Sequence, residues 1–359
     1  LMKKKVALLC GGRSGEHEVS LVSANSVAGA LDKAKYEVLI VAIDGQGKWW
    51  LGDDVIEKMQ KDHKPYGEPV YMLPEPGRQG LLRYTEKGWA EIAVDVFFPV
   101  LHGPNGEDGT IQGLFELANV PYVGCGVLAS ACGMDKGAMK SLFAQAGLPQ
   151  VPYSIVHRSQ WEKDVTSIIE NIEKNLAYPL FVKPANMGSS VGVSKASNRE
   201  ELQKSFAEAL LYDHKIVVEE GVDAREIEVS VLGNEEVSAS IAGEIVPCND
   251  FYDYKAKYVD NKSSLLIPAP LSEQEMALFQ EMAIKAFKAI DGTGLARVDF
   301  FMDKKSGQIL INELNTLPGF TSISMYPKLW EASGLNYSDL LTKLIELATA
   351  RYEVKQKLK

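Results

Sequence analysis

GLARVDFFMDKKSGQILINELNTLPGFTS, residues 294–322, is the stretch whose reading decides the fold. Two runs rich in Val, Ile, Leu and Phe flank the turn residues KKSG, the pattern of a β-hairpin. Residues two apart on a strand share a face. Arg297 and Asp299 therefore point the same way on the first strand, as do Glu313 and Asn315 on the second, with Asp299 roughly opposite Glu313. One face gathers two carboxylates, a carboxamide and a guanidinium. Hard oxygen donors of this kind suit Mg²⁺, which takes a few carboxylates and completes its shell with phosphate oxygens. The plainer alternative is a solvated sheet face with a salt bridge. Against it stand Phe300, Leu310, Ile311 and Leu314, which imply a largely buried sheet where unpaired charge is costly. LPGFTS (317–322) follows directly. It is either a plain strand-to-helix turn or a loop whose amides face a developing oxyanion.

Upstream, KPANMGSSVGV (183–193) sends a lysine off a strand into a Gly-Ser-Ser turn. Exposed amides and hydroxyls in such a turn cradle phosphates, although a simple hairpin turn reads the same way and no Walker A sequence is present. Lys136 opens a helix after Asp135, and Lys257 stands in a polar, aromatic segment. Glu16 precedes a helix and His102 ends an apolar strand; alone, each reads as an ordinary structural residue.

The first third alternates strand and helix: VALLC (6–10), a helix from Val19 to Leu31, YEVLIVAID (36–44), VDVFFPVLH (94–102), a helix from Gly109 to Ala118 and a short strand PYVGCG (121–126). That order predicts an open parallel sheet, with ligands at the carboxyl ends of its strands. A helix from Met134 to Ala146 and strands at 178–185 and 215–222 predict a small mixed domain. The remainder reads as antiparallel strands with helices from Glu273 to Ile290 and Tyr337 to Ala348, and EVKQKLK at the end reads as unstructured. The fold class is α/β, with boundaries expected at 1–133, 134–223 and 224–359.

The chain has 359 residues and a formal net charge of −10, which argues against nucleic acid as a default partner. No apolar stretch reaches the ~20 residues of a membrane span, and VALLC is too short for the core of a signal peptide before it meets Gly11 and Gly12. Leu1, ahead of Met2, is set aside. Cys10, Cys125, Cys132 and Cys248 form no CxxC pair or zinc spacing and read as reduced, inert thiols.

As an ordered set, GGRSGEHEVS, LHGPNGEDGTIQG, MDK, FVKPANMGSSVGVSK, EIEVSVLG, FYDYKAKY, ARVDFF, INELNTLPGFTS and SMYPKLW resemble the D-alanine–D-alanine ligase family over at least residues 5–350. The resemblance implies an ATP-grasp fold: an N-terminal parallel-sheet domain and two α+β domains that sandwich ATP. It implies a cytoplasmic, homodimeric enzyme that joins two D-alanines through a D-alanyl phosphate, for peptidoglycan precursors. ATP and two Mg²⁺ ions, or Mn²⁺ in their place, are the implied cofactors.

By similarity, Glu16 holds the ammonium of the first D-alanine and His102 sits near it. Lys136 and Lys183 contact the α and β phosphates, and Ser189 and Ser190 belong to the phosphate loop. Glu219 lies by the adenine, Glu226 takes the ribose hydroxyls and Lys257 reaches the γ-phosphate. Asp299, Glu313 and Asn315 bind the metal ions. Arg297 and the Gly319 amide face the oxyanion, and Ser324 binds the second D-alanine. A lid at about 248–266 closes the site and excludes water, with Tyr258 linked through Ser189 to Glu16. The tyrosine favours an amine over a hydroxyl as second nucleophile. The rivals are a D-alanine–D-lactate or D-alanine–D-serine ligase, a non-catalytic ATP-binding regulator and a dinucleotide-dependent dehydrogenase. GGRSGE, which is not GxGxxG, weakens the last of these.

On this reading Glu313→Gln slows the chemical step strongly and leaves folding nearly intact. Steady-state kinetics across a Mg²⁺ titration check it, and near-normal turnover with ordinary Mg²⁺ dependence removes Glu313 from the metal site.

Overall fold

The computed structural model describes residues 2–78, 80–246, 264–321 and 323–358. Among these residues the strands form three sheets. The first unit runs β1 (Lys4–Gly11), α1 (His17–Ala30), β2 (Tyr36–Ile43), β3 (Trp49–Leu51), α2 (Val55–Gln60), β4 (Glu68–Tyr71), β5 (Gly80–Thr85), β6 (Gly88–Ala93), β7 (Val96–Pro99), α3 (Thr110–Ala118) and α4 (Val127–Met134). Its strand order is β6-β5-β4-β3-β2-β1-β7. β1 pairs in parallel with β2 and β7. Alternate β1 residues enter different cores: Val6, Leu8 and Cys10 pack on one side, Ala7 and Leu9 on the other. A sheet covered on both faces explains why VALLC is apolar throughout rather than alternating.

The parallel sheet expected here is only partly realised, because β3 to β6 pair antiparallel. Only residues 44–48 separate β2 from β3, too few for a parallel crossover. Asp44 closes that turn by accepting from the amides of Gln46 and Lys48 at 2.8 and 3.0 Å. PYVGCG contributes one parallel bridge, Phe97 with Tyr122, instead of a strand.

The second unit contains α5 (Lys136–Gln145), β8 (Tyr153–His157), α6 (Arg158–Lys163), α7 (Val165–Asn175), β9 (Leu180–Pro184), β10 (Ser194–Ala196), α8 (Arg199–Ala209) and β11 (Lys215–Glu220), with its sheet ordered β10-β9-β11-β8. The helix expected from Met134 to Ala146 is α5, and α4, which ends at Met134, was not expected. Asp135 is extended between them and its side chain accepts from the Ala138 amide at 2.9 Å, an N-cap that starts α5 at Lys136.

The third unit contains β12 (Ala224–Gly233), β13 (Val237–Val246), β14 (Ser264–Leu266), α9 (Glu273–Ala289), β15 (Gly294–Asp303), β16 (Ile309–Asn315), α10 (Met325–Ala332) and α11 (Tyr337–Gln356), in the antiparallel order β14-β13-β12-β15-β16. The expected hairpin is present: Asp299 pairs with Glu313 and Arg297 with Asn315. A register shift after Asp299 leaves Asn312 as the extra residue, a β-bulge beside the charged face.

Helix α11 returns to the first unit, where Leu340, Leu341, Leu344 and Ile345 join the core of β1, β7 and α1. It continues through Gln356, past the point where the sequence reads as unstructured. Lys355 pairs with Glu116, and Gln356 donates to Asn119 at 2.8 Å. Arg351 donates to the Gly124 carbonyl, the Thr293 hydroxyl and the Tyr122 carbonyl at 2.5, 2.6 and 2.8 Å. Its guanidinium also lies 4.4 Å from the centre of the Tyr122 ring. Arg351→Met removes the cation–π contact and leaves two carbonyls unpaired. The expected cost is about 2–4 kcal/mol, read as a lower urea midpoint at unchanged m-value; an unchanged midpoint contradicts this role for the clamp.

Candidate active site

The three units enclose a cleft of about 1180 Å³. Its walls hold every expected site residue that falls within the described part: Glu16, His102, Lys136, Lys183, Ser189, Ser190, Glu219, Glu226, Arg297, Asp299, Glu313, Asn315, Gly319 and Ser324. Lys257, Tyr258, Cys248 and the expected lid, apart from β14, lie outside the described residues.

One end of the cleft is an ion cluster between α5, β9 and β11. Glu219 faces Lys183 at 2.5 Å and Lys140 at 2.9 Å. Burial alone would raise the Glu219 pKa, but the two lysines outweigh it and bring the carboxyl down to about 2. The lysines divide. Burial lowers Lys140, whereas for Lys183 the Glu219 and Glu313 carboxylates overcome burial and raise it. Lys136 is brought alongside because its amide donates to the Ala185 carbonyl at 3.0 Å. Its ammonium donates to the Met187 carbonyl at 2.8 Å and lies 3.9 Å from Glu313.

Residues 186–193 form the next wall. Asn186 is pinned by its amide and its side chain to Asp213 at 2.8 and 2.9 Å. Ser189 and Ser190 both take left-handed backbone angles, φ 49° and 59°. That is strained for a side-chain-bearing residue, and successive turns of this kind aim amides into a concavity suited to an anion. The Ser189 hydroxyl donates to Glu16, which joins this loop to the first unit. Glycines approach that carboxylate closely from both sides. A Cβ on Gly103 would sit 2.7 Å from Glu16 Oε2, and one on Gly188 2.9 Å from it. Behind Glu16, Glu107 accepts from the Gly103 amide at 2.5 Å. Burial, and then repulsion from Glu16, raise its pKa well above the ordinary carboxylate range.

The other end is the charged hairpin face. Arg297 grips both oxygens of Asp299 at 2.7 and 2.6 Å and lies 3.1 Å from Glu228. Asn315 Oδ1 accepts from the Leu317 amide at 3.0 Å, which starts the loop carrying Gly319. Ser324 accepts from the Thr321 amide at 3.0 Å, and a Cβ on Gly319 would meet its Oγ at 2.8 Å. His102 reaches the cleft wall but is buried, with both ring nitrogens engaged by Leu317 and Ser23.

Sequence reasoning assigned no role to Lys140, Glu228, Glu107 or Ser23. Signals existed for some of them. Lys140 stands one turn after Lys136 on the apolar face of α5, and Glu228 shares a strand face with Glu226. Glu107 lies within the LHGPNGEDGT segment itself.

Comparison with known proteins agrees with this geometry. The family description "D-ala D-ala ligase N-terminus" matches residues 5–125, and "D-ala D-ala ligase C-terminus" matches 142–346. The D-alanine–D-alanine ligase of Heliobacterium modesticaldum is 61% identical over 99% of this chain and 98% of its own length. The crystal structure of the VanG D-Ala:D-Ser ligase from Enterococcus faecalis is similar at TM-score 0.87 and 37% identity, covering 97% of this chain and 100% of that one. The D-alanine–D-alanine ligase structure from Coxiella burnetii gives TM-score 0.87 at 36% identity, covering 99% and 97%.

The Glu219 cluster has a pH signature. Its carboxyl is depressed from an ordinary 4.5 to about 2, so the stability from its ionisation is present above about 4.5 and is lost as pH falls toward 2. Glu219→Gln is therefore less stable than the parent at neutral pH, and the gap narrows across that window. Urea unfolding at stepped pH measures it, and a gap that stays constant from pH 5 to about 2 contradicts the assignment.

Proposed function

The chain belongs to the D-alanine–D-alanine ligase family, and from that we propose that it joins two D-alanine molecules at the expense of ATP, through a D-alanyl phosphate, to supply the dipeptide for peptidoglycan precursors. The observation that carries the reading is the convergence of the cationic cluster, the Ser189–Ser190 loop and the charged hairpin face on one cleft.

In the first step a carboxylate oxygen of one D-alanine bonds to the γ-phosphorus and the bond to ADP breaks. Phosphoryl transfer depends on alignment and charge compensation more than on covalent help. Lys136 and Lys183 supply positive charge, and the amides and hydroxyls of Ser189 and Ser190 supply donors. Glu219 and Glu226 are assigned to the base and ribose. Glu16, wedged between Gly103 and Gly188, is assigned to the ammonium of the first D-alanine. In the second step the amine of the other D-alanine adds to the acyl carbon, phosphate departs with the former carboxylate oxygen, and the amine proton is released. Arg297 and the Gly319 amide are assigned to the oxyanion of that tetrahedral species, and Ser324 to the carboxylate of the second D-alanine.

Asp299, Glu313 and Asn315 are hard oxygen donors on paired strands. Two carboxylates and a carboxamide would hold Mg²⁺ (two ions, or Mn²⁺), with phosphate oxygens completing the shell. When bound, such ions neutralise charge on the phosphates. A homodimer belongs to the same reading, and exposed Leu117, Val127 and Leu128 on α3 and α4 offer it an apolar surface. A reducing, ATP-containing cytoplasm suits the unpaired thiols of Cys10, Cys125 and Cys132. Among the described residues no helix is long and apolar enough to cross a membrane.

A D-alanine–D-serine ligase is the second reading, favoured by the likeness to the VanG structure; Tyr258 is the sequence argument against a D-lactate ligase. Phosphate release from Mg-ATP with D-alanine alone, or with D-serine or D-lactate added, separates these when condensed products are resolved by mass. D-alanyl-D-alanine as the dominant product under every condition is expected. Dominant D-alanyl-D-serine or D-alanyl-D-lactate overturns the second-substrate assignment, and no D-alanine-dependent release overturns the ligase reading.

A further inference from the structure

The inner face of α1 carries a hydroxyl among apolar side chains. Ser23 is fully buried and His102 nearly so, and a buried polar group without partners is costly. Each finds its partner in the other. Ser23 Oγ lies 3.1 Å from His102 Nε2 and accepts from the Phe320 amide at 3.4 Å. His102 Nδ1 lies 3.2 Å from the Leu317 carbonyl oxygen.

The proton positions follow from donor chemistry. A carbonyl only accepts, so the imidazole proton is on Nδ1, and Nε2 accepts from the Ser23 hydroxyl. Burial holds the ring in its neutral form. The three bonds then run in one direction: Phe320 N–H to Ser23, Ser23 O–H to His102, His102 N–H to the Leu317 carbonyl. The relay begins and ends on the same loop, at residues flanking Pro318 and Gly319.

The rest of that loop is also held. The Leu317 amide donates to Asn315 at 3.0 Å, and the Phe320 carbonyl accepts from the Tyr337 hydroxyl at 2.9 Å. The Phe320 ring is fully buried against Phe98, Tyr326 and Tyr337. Proline has no amide proton. Gly319 lines the cleft inside the span that the relay holds at both ends. The relay reaches this span from the first unit, through α1 and the residues after β7.

We propose that Ser23 and His102 are positioning residues that aim the Gly319 amide at the tetrahedral intermediate, so that the first unit governs the condensation half of the reaction without touching the reacting atoms. The proposal rests on the ligase reading and on the oxyanion role of Gly319. An oxyanion donor works only within a few tenths of an ångström of its place. Loosening the relay therefore slows attack by the amine and leaves the earlier phosphoryl step in place.

The test compares the parent with Ser23→Ala, His102→Gln and the double variant, using full-length protein. Phosphate release reports complete turnover. Positional isotope exchange in ATP labelled at the β,γ-bridging oxygen, with D-alanine present, reports reversible D-alanyl phosphate formation alone. For Ser23→Ala the expected result is a kcat about tenfold or more below the parent, with exchange and the KM for ATP within about twofold. The ratio of exchange to release then rises by the factor lost in kcat, which a general loosening of the fold would not produce. The double variant falls no further than the worse single variant, because the relay acts as a unit. A kcat for Ser23→Ala within twofold of the parent overturns the proposal, as does exchange that falls in step with kcat. Should the alanine variant fail to fold, Ser23→Cys, which keeps the volume and weakens the hydrogen bonds, is judged by the same two readings. Failure of the ligase reading itself appears separately, as absence of D-alanine-dependent exchange in the parent.

Discussion

The register of β15 against β16 places Asp299 opposite Glu313 and Arg297 opposite Asn315. A slip of one residue by either strand would turn its two charged or polar side chains to the far face, where Val298, Phe300, Ile311 and Leu314 now build the core. The same alternation that buries the hairpin therefore presents its charged face. Arg297 makes that face tolerable by gripping Asp299 bidentately and lying against Glu228 on the neighbouring strand. Removing the guanidinium would leave two carboxylates crowded together in a largely buried position.

Around this face the other two units contribute from loops, strand ends and a helix. The second unit brings its lysines from one helix start and one strand end, and Glu219 keeps Lys140 and Lys183 together. The first unit brings Glu16 and His102 from the carboxyl ends of β1 and β7, where an open α/β sheet places its ligands. Ser20 fixes that end, taking the Gly11 amide at 2.8 Å and donating to the Val100 carbonyl. Glu16 is then joined to the second unit by Ser189 and His102 to the third by Leu317. Each unit alone holds an incomplete set of groups; two buried polar contacts complete it.

The hairpin, its charged face and the β1 core were legible because alternation and apolar runs are local signals. The antiparallel extension β3 to β6 was not: its strands are short, and the Asp44-Gly45 turn signal between β2 and β3 was passed over. Helix α4 was not read, whereas the start of α5 at Lys136, after the capping Asp135, was. In the site, several residues that act through a partner were assigned no role, Glu107 and Glu228 among them although they lie within quoted motifs. Ser23 and Lys140 were not singled out. Their roles come from groups far along the chain, at residues 102 and 320 for one and 219 for the other. His102 shows the converse: it stands in a quoted motif, and its ring is engaged by the Leu317 carbonyl and Ser23.

The central claim is that this cleft joins carboxylate to amine through an acyl phosphate, and oxygen transfer tests it most directly. D-alanine labelled with ¹⁸O in its carboxylate is turned over with unlabelled Mg-ATP, and the released phosphate is analysed by mass. The account predicts one labelled oxygen per phosphate, because the carboxylate oxygen that attacks the γ-phosphorus leaves with it. Unlabelled phosphate, formed at the rate of dipeptide synthesis, would contradict it.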